Sequence, residues 1–302
     1  MSFDELLSAV VSAFRGRDYA RCFDLLDEFI ESVAGPDFCQ ALVLKADLIM
    51  RTDATRIPEG LLLVEEALEH VQDDPISTLT AAVAALGLCF HLGDVERARR
   101  YELIGQRVLQ QHPDDPGIQA KEFRLQINLG LVANRRGEFA AAYWHFSRAL
   151  WAITTRGVDD ESDVRCFLLN IYEELISVCL RMNRVPEAGE FLTKAKDCIL
   201  SELDRVRWIL ARARFLRVKK QPQEAADLLA EFSQDTIQQW TPLLRARFHM
   251  VQAQIYQDLG QIRRFHRHLE LAQREALTHG FDDLVCEIQR VQRTPISLEV
   301  MQ

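Results

Sequence analysis

The stretch INLGLVANRRGEFAAAYWHFSRAL, Ile127–Leu150, decides the fold. Its apolar residues recur at intervals of three and four on both sides of Gly137, as in two amphipathic helices joined by a tight turn. Small side chains such as Ala133 and Ala142 alternate with the large Phe146. Small residues let two antiparallel helices approach closely while large ones fill the space between neighbouring pairs, so we expect a helical hairpin here.

The same small-residue position recurs along the chain in weaker copies of the hairpin. Gly, Asn, Asp and Pro precede it where a helix must stop and reverse, and no alternating strand pattern of any length occurs. The spacings between aligned positions are 38, 38, 44, 46, 37 and 40 residues, which predicts seven hairpins with long helices or long connections. The aligned residues are Cys22, Gly60, Ala98, Ala142, Ala188, Ala225 and Phe265.

This pattern resembles the tetratricopeptide repeat family, and the Ala142-x-x-x-Phe146 step matches it directly. Gln126 and Ala133 stand where that pattern has Trp and Tyr, and its closing Pro is missing. Repeats of this length are similar to the helical sensor regions of maltose-type transcription activators and to the peptide-pheromone receptors of Gram-positive bacteria. The resemblance implies an all-α, right-handed superhelical solenoid of about seven antiparallel hairpins that binds proteins or peptides.

The repeat rhythm runs from end to end, so the sequence predicts a single solenoid domain over residues 1–293. Phe281–Arg293 is expected to form an amphipathic capping helix, and residues 294–302 a flexible tail. Within residues 1–302 we expect neither a helix-turn-helix module before the repeats nor an output domain after them. We therefore expect either a stand-alone adaptor or the sensor part of a larger regulator.

Composition and charge disfavour several function classes. The 302 residues are 48% hydrophobic and carry a net charge of -9, which does not favour direct binding to nucleic acid. The N-terminal segment MSFDELLSAVVSAF is acidic and has helical periodicity, so it is predicted to be a first helix and no secretory signal. No stretch approaches about 20 uninterrupted apolar residues. We expect a soluble, cytoplasmic protein without a membrane partner.

Motifs that carry chemistry are absent from the sequence. It has no phosphate-binding loop, nucleophile elbow or zinc-protease helix, so we expect no enzymatic activity and no cofactor. His266 and His268 point about 200° apart on a helix and cannot jointly chelate a metal. The carboxylates Glu173 and Glu174 are expected on a solvated helix face, and Asp159–Glu161 at a helix N-terminus.

The remaining surface is the concave wall that the first helices of the hairpins would form. Arg207, Arg214 and Arg217 share one helix face with no carboxylate on it, which favours an acidic partner. Alternatively, these arginines pair with Glu173 and Glu174 on the preceding hairpin. Groove asparagines can hold a peptide backbone through the donor and acceptor of the amide. The predicted groove residues are Arg124, Asn128, Asn134, Arg135, Arg207, Arg214, Arg217, Arg247 and Gln254, with Leu131 and Gln257 also facing outward.

Two functions are consistent with such a groove. The first is a non-enzymatic protein- or peptide-binding module, an adaptor or scaffold. The alternative is a sensor in which a peptide or small molecule changes the pitch of the solenoid.

The cysteine and tryptophan residues are predicted to be structural. Seven cysteines without a C-x-x-C pair suggest neither disulfides nor zinc, so most should be buried. Core packing is expected for all four tryptophans, and His145 should lie in the core or at its boundary. The tryptophans are Trp144, Trp151, Trp208 and Trp240.

Overall fold

The computed structural model describes residues 1–71, 74–156 and 161–293, in which it has sixteen α-helices and no strand. The predicted tail at 294–302 and the Asp159-Asp160 pair lie outside these ranges. The helices are α1 Phe3–Arg15, α2 Tyr19–Ile30, α3 Pro36–Thr52, α4 Ile57–His70, α5 Pro75–Leu92, α6 Val95–Gln111, α7 Pro116–Arg136, α8 Phe139–Arg156, α9 Glu161–Arg181, α10 Val185–Lys196, α11 Glu202–Val218, α12 Pro222–Leu229, α13 Gln234–Gln238, α14 Pro242–Asp258, α15 Ile262–Thr278 and α16 Asp282–Arg293.

These helices confirm the predicted seven hairpins. Six pairs pack as hairpins, α1/α2, α3/α4, α5/α6, α9/α10, α11/α12 and α14/α15, and a turn at Gly137 joins α7 to α8, with α13 and α16 as additional helices. First helices of successive hairpins also pack on each other, as α3 does on α5, α9 on α11 and α11 on α14. The longest spacings in the sequence come from the longest first helices, since α7 and α9 each have 21 residues.

Six of the seven hairpin turns share one backbone geometry. One turn residue takes a left-handed conformation, and the next residue donates its N–H to the carbonyl five positions earlier. This is the Schellman arrangement, which satisfies carbonyls at the end of the first helix. The turn between α3 and α4 differs, because a short 3₁₀ helix, Ala54–Arg56, fills it. The left-handed residues are Arg17, Gly93, Gly137, Asn183, Lys220 and Gly260.

The residues aligned in the sequence occupy equivalent places in the structure. Each is the fourth residue of the second helix of its hairpin, and each is buried. Gly60 shows why the position is small: a Cβ there would lie 3.3 Å from the side chain of Leu88 on α5. The pattern of small residues therefore marks helix contacts.

The chain divides into two compact units, Met1–Val132 and Ala133–Gln302. The core of the N-terminal unit is built on α3 to α6 and includes Leu61, Leu86 and Tyr101. In the C-terminal unit, Phe248 packs with residues of α11 to α14. The repeat pattern does not reveal this division, and the single domain over 1–293 stays a prediction.

One helix of the N-terminal unit is long and apolar enough to cross a bilayer. Over its 18 residues α5 has a mean hydropathy of 1.6, although polar residues interrupt its apolar run. Half of these residues are buried, and α5 packs against α3, α4 and α6. The apolar residues of α5 therefore pack in the core of the N-terminal unit.

The C-terminal helix α16 covers the last hairpin, as the sequence predicts. Leu284 and Ile288 are buried in a cluster with Met250 on α14 and with Phe265 and Leu269 on α15. Without these two side chains the apolar face of the α14/α15 hairpin would face water.

The structure corrects the prediction that all four tryptophans pack in the core. Trp240 is buried, and Trp208 is half-buried with its indole N–H donated to the carbonyl of Leu192. Trp144 and Trp151, however, are 54% and 48% exposed on α8. The hairpin pattern predicts that α8 is a helix, but it does not predict which residues of α8 are covered by a neighbouring helix.

Cysteine burial follows the prediction. Five of the seven cysteines are buried, and Cys166 and Cys286 are exposed. His145 of α8 is half-buried, as expected for a residue at the boundary of the core, and burial lowers the pKa of its imidazole.

Candidate functional site

Three first helices of the C-terminal unit line a small, partly open pocket with a cavity volume of about 30 Å³. We call it the Arg214 pocket. The contributing side chains recur at intervals of three and four, so each helix presents one face to it. It is lined by Glu173, Ile176, Ser177 and Leu180 of α9, by Arg207, Leu210, Ala211 and Arg214 of α11, and by Leu244 and Arg247 of α14.

Arg207 is held by a network of acceptors at the edge of this pocket. Its Nη2 lies 2.6 Å from Oε2 of Glu173 and also donates to the side-chain oxygen of Asn170. Asp204, three residues earlier on the same helix, lies 3.7 Å from Nη1. The expectation that the arginine face of α11 carries no carboxylate is therefore wrong at Arg207.

Arg217 is also occupied, at the other end of α11. Its Nε lies 2.5 Å from a carboxylate oxygen of Asp258, and its Nη1 donates to Oε1 of Gln254 at 2.7 Å. Arg217 and Gln254, both predicted to face a ligand, thus bind each other and join α11 to α14.

In the part of the chain that the structure describes, Arg214 and Arg247 differ from Arg207 and Arg217 in their lack of a close acceptor. Within the described residues, neither guanidinium has a carboxylate within 4.0 Å or a hydrogen-bond partner, although both side chains are half-buried. Burial lowers the pKa of Arg214, and the nearby charge of Arg247 acts in the same direction, while Glu287 of α16 opposes them. Arginine nevertheless stays protonated in proteins. The pocket therefore contains two positive charges without a close counter-ion.

The carboxylates of α9 lie beside these arginines and are half-buried, which corrects the expectation of a solvated face. Glu173 pairs with Arg207 through one oxygen, and its other oxygen, Oε1, is buried without a hydrogen-bond partner. Burial raises the pKa of Glu174, and the charge of Arg247 offsets part of this rise. Asn134 donates to Glu174 at 3.5 Å.

The remaining predicted site residues do not join the Arg214 pocket. Asn128 donates its amide to the backbone carbonyl of Val83 at 2.7 Å, which ties α7 to α5 in the N-terminal unit. Arg124 is exposed and lies over the ring of Phe123. Arg135, near the end of α7, is half-buried.

Sequence reasoning missed a histidine pair in the α14/α15 hairpin. The Nδ1 atoms of His249 and His268 lie 3.2 Å apart, and the ring of His268 packs against Tyr256. Burial lowers the pKa of both imidazoles, that of His268 to about 4. From the sequence, His268 was considered only together with His266, which is exposed on the opposite face of α15. Only the register of α14 against α15 could have identified the true pair.

Comparison with known proteins supports the fold. No protein-family model matches the chain, and no curated protein matches it. A tetratricopeptide repeat protein from Parabacteroides merdae ATCC 43184 is 14% identical with a TM-score of 0.54, covering 97% of this chain and 99% of that one. The apo form of RapI is 12% identical with a TM-score of 0.60, covering 92% and 100%. The chain therefore has the fold of a tetratricopeptide repeat protein, built from helical hairpins and closed by a C-terminal helix.

Proposed function

We propose that the protein is a non-enzymatic module that binds a protein or peptide partner through the first helices of its C-terminal unit. The observation that carries this proposal is the Arg214 pocket, where Arg214 and Arg247 lack a close carboxylate within the described residues. Stacked hairpins present their first helices as an extended recognition surface. Half-buried charges without counter-ions cost free energy, so selection for stability alone would not retain them.

The proposed binding surface is narrower than the groove predicted from the sequence. Arg207 and Arg217 are held by carboxylates of neighbouring helices, and Asn128 is held by a backbone carbonyl. Arg207 and Arg217 are proposed to shape the surface, whereas Arg214 and Arg247 contact the partner. Asn128 lies in the N-terminal unit and is not part of the proposed surface. A partner with a negatively charged group is expected.

Affinity capture from extract of the native cells tests this function. The bait is the full chain, beside an Arg214→Glu/Arg247→Glu variant and a matched Arg212→Glu/Arg263→Glu control. Both control arginines are exposed, and the control makes the same change of net charge. We expect mass spectrometry to show a partner retained by wild type and control and lost in the pocket variant. Equal retention by all three would show that the partner binds elsewhere.

A ligand-gated sensor is the second candidate, favoured by one contact. Arg181 at the end of α9 lies 3.6 Å from Glu287 of α16, although two hairpins separate them in sequence. The charge of Glu287 also raises the pKa of Arg214. An anion that entered the pocket would therefore compete with Glu287 for the electrostatic attraction of Arg214. Small-angle scattering with and without the captured partner separates the candidates. A sensor should change its radius of gyration, and a passive adaptor should not.

The proposal includes a cytoplasmic location, no cofactor, and neither nucleic acid nor membrane as a direct partner. Cell fractionation followed by immunoblotting tests the location. Recovery of the protein in the membrane fraction would contradict it.

A further inference from the structure

The outer face of α8 carries two exposed tryptophans in a single row of side chains, which we call the α8 stripe. All five members of the row are exposed, and they lie opposite the buried side chains of the helix. Steps of three and four residues keep them on one side of α8. Tryptophan and arginine are enriched where proteins bind one another, so a row that contains both suits an interface. The α8 stripe consists of Ala140, Trp144, Arg148, Trp151 and Thr155.

A single arginine contacts both indole rings of the stripe. The Cζ atom of Arg148 lies 5.9 Å from the ring centroid of Trp144 and 5.8 Å from that of Trp151. The imidazole of His145 makes an edge contact with the ring of Trp144 at a centroid distance of 4.9 Å. Rings that are already oriented lose little entropy when they bind. The stripe is therefore preorganised as a recognition surface.

The spacing of the two tryptophans matches one kind of extended ligand. Seven residues separate Trp144 from Trp151, which places them about 10.5 Å apart along the helix and about 20° apart around it. A polyproline II helix has three residues per turn, so its side chains three positions apart share one side and lie about 9.3 Å apart. In a β-strand, side chains three positions apart point to opposite faces. Consecutive turns of a polyproline II helix can thus contact the two rings.

A hydrogen-bond donor distinguishes this ligand from a partner α-helix of similar spacing. Within the described residues the indole N–H of Trp144 donates to no acceptor, whereas that of Trp208 donates to the carbonyl of Leu192. The carbonyl groups of a polyproline II helix have no internal hydrogen bonds and can accept from this donor. Those of an α-helix are already bonded along the helix.

The charge of the stripe adds a second requirement. Arg148 lies beside the line that joins the two tryptophans, about 40–60° further around the helix. Its guanidinium has five N–H donors, so it can bind a ligand group while it contacts the indole rings. Charge complementarity therefore favours a ligand with a carboxylate on the side next to its contact with the rings.

We propose that the α8 stripe binds an acidic, proline-rich segment of a partner protein in the polyproline II conformation. Prolines three positions apart contact Trp144 and Trp151, and an acidic residue between them lies against Arg148. Aromatic side chains recognise such segments because the polyproline II helix is preformed and loses little entropy on binding. The stripe lies on a second helix of a hairpin, whereas the surface of the proposed function lies on first helices.

A peptide of four Pro-Pro-Glu repeats tests this assignment, beside a peptide of four Ala-Ala-Glu repeats with the same charge. Both peptides are acetylated and amidated, so neither has a charged terminus. Isothermal titration calorimetry with the full chain measures the dissociation constants. We expect the Pro-Pro-Glu peptide to bind at least about tenfold more tightly, because only its preformed helix presents rings to both tryptophans. Equal binding of the two peptides, or binding of neither, would overturn the proposal.

Variants of exposed residues locate the binding. Trp144→Ala/Trp151→Ala should weaken binding of the Pro-Pro-Glu peptide by about tenfold or more, since a few aromatic residues carry most of the affinity of such contacts. Leu200→Ala/Leu277→Ala is the matched control, because it removes two other exposed apolar side chains of the same unit, and it should leave the affinity unchanged. Unchanged binding by the tryptophan variant would show that the peptide binds elsewhere.

A conservative variant guards against damage to the fold. Trp144→Tyr/Trp151→Tyr keeps an aromatic ring at both positions and should retain most of the affinity. Loss of binding in this variant as well would mean that contact with aromatic rings does not carry the interaction, and the proposal would fail.

Two further measurements exclude other sites and other occupants. Arg214→Gln/Arg247→Gln should bind the Pro-Pro-Glu peptide as wild type does, since the Arg214 pocket lies on α9, α11 and α14. Loss of binding in that variant would place the acidic peptide in the pocket and contradict the assignment to α8. Sedimentation velocity without peptide tests a second copy of the chain as the occupant. A wild-type dimer that Trp144→Ala/Trp151→Ala dissociates would also overturn the proposal.

Discussion

At the scale of single residues, the hairpin turns impose a conformation that most side chains avoid. The left-handed position costs about 1–2 kcal/mol for a residue with a Cβ atom, and glycine occupies it in three of the six Schellman turns. Asn183 tolerates it better than most, but Arg17 and Lys220 do not have that advantage. The turns at Arg17 and Lys220 are therefore strained, because the Cβ atom of each residue disfavours the left-handed conformation.

Lys220→Gly should raise the free energy of unfolding by about 0.5–1 kcal/mol, because relief of the left-handed strain exceeds the extra entropy of glycine in the unfolded chain. Lys219→Gly is the matched control. Lys219 has a φ of -69°, so glycine there brings only the entropic loss and should destabilise. Urea denaturation of both variants measures the difference, and changes of the same sign would contradict the explanation.

The histidine pair gives a second prediction at this scale. Two imidazoles whose Nδ1 atoms lie 3.2 Å apart cannot both carry a proton on those atoms without repulsion. Because burial lowers the pKa of His268 to about 4, the unfolded chain binds more protons than the folded one between that value and the ordinary pKa of histidine. Unfolding free energy should therefore fall as the pH drops from neutral towards 4, with about 3 kcal/mol from this residue.

His268→Gln should flatten this part of the stability profile, whereas His266→Gln, on the exposed face of the same helix, should not. Thermal melts at a series of pH values between 4 and 7 measure the slopes. Equal slopes for wild type and His268→Gln would mean that His268 binds a proton as readily in the folded protein as in the unfolded chain.

At the scale of helices, the sequence predicts which positions of a helix contact another helix. It does not predict which residues of the neighbouring helix they contact. Gly60 identifies a helix contact because a Cβ there would lie 3.3 Å from Leu88, although the larger Phe265 occupies the aligned position of the last hairpin.

The pairing of Arg207 with Glu173 depends on the register between α11 and α9, which their connecting segment sets and no periodicity reveals. Both alternatives for the arginine face of α11 are therefore present in part, since Arg207 and Arg217 pair with carboxylates of neighbouring helices and Arg214 does not.

Asn128 illustrates the same limit. The sequence suggests an amide that faces a ligand, and the structure shows it bonded to Val83 of α5, near Gly87, which leaves space for it. Asn128→Ala should lower the free energy of unfolding by about 1 kcal/mol, the usual net contribution of such a bond. Arg124→Ala, one turn earlier and exposed, should change stability by less than about 0.5 kcal/mol. Equal effects would show that the amide does not join the two helices.

At the scale of the whole molecule, a stack of hairpins must end somewhere, and its last apolar face needs a cover. The sequence predicted this role for Phe281–Arg293 from its amphipathic pattern, and α16 fills it through Leu284 and Ile288. The division of the chain near Val132 was not predictable, because the repeat pattern continues across it within α7.

Deletion of residues 281–302 should lower the free energy of unfolding of the C-terminal unit by about 4 kcal/mol, the burial value of two large aliphatic side chains. Deletion of 294–302 is the control and should have little effect, because it removes neither Leu284 nor Ile288. Far-UV circular dichroism during urea denaturation measures both. A large loss from the shorter deletion would mean that the tail contributes to the fold.

The uniform Schellman turns also decide where the chain can accept foreign sequence. An epitope or reporter peptide placed in one of these turns would displace the left-handed residue and the hydrogen bond that follows it, and would separate the two helices of a hairpin. The segments between hairpins vary in length, and one of them already contains the short helix α13. Fusion sites for labels, tethers or split reporters should therefore be chosen between hairpins, where the protein's own repeats differ most.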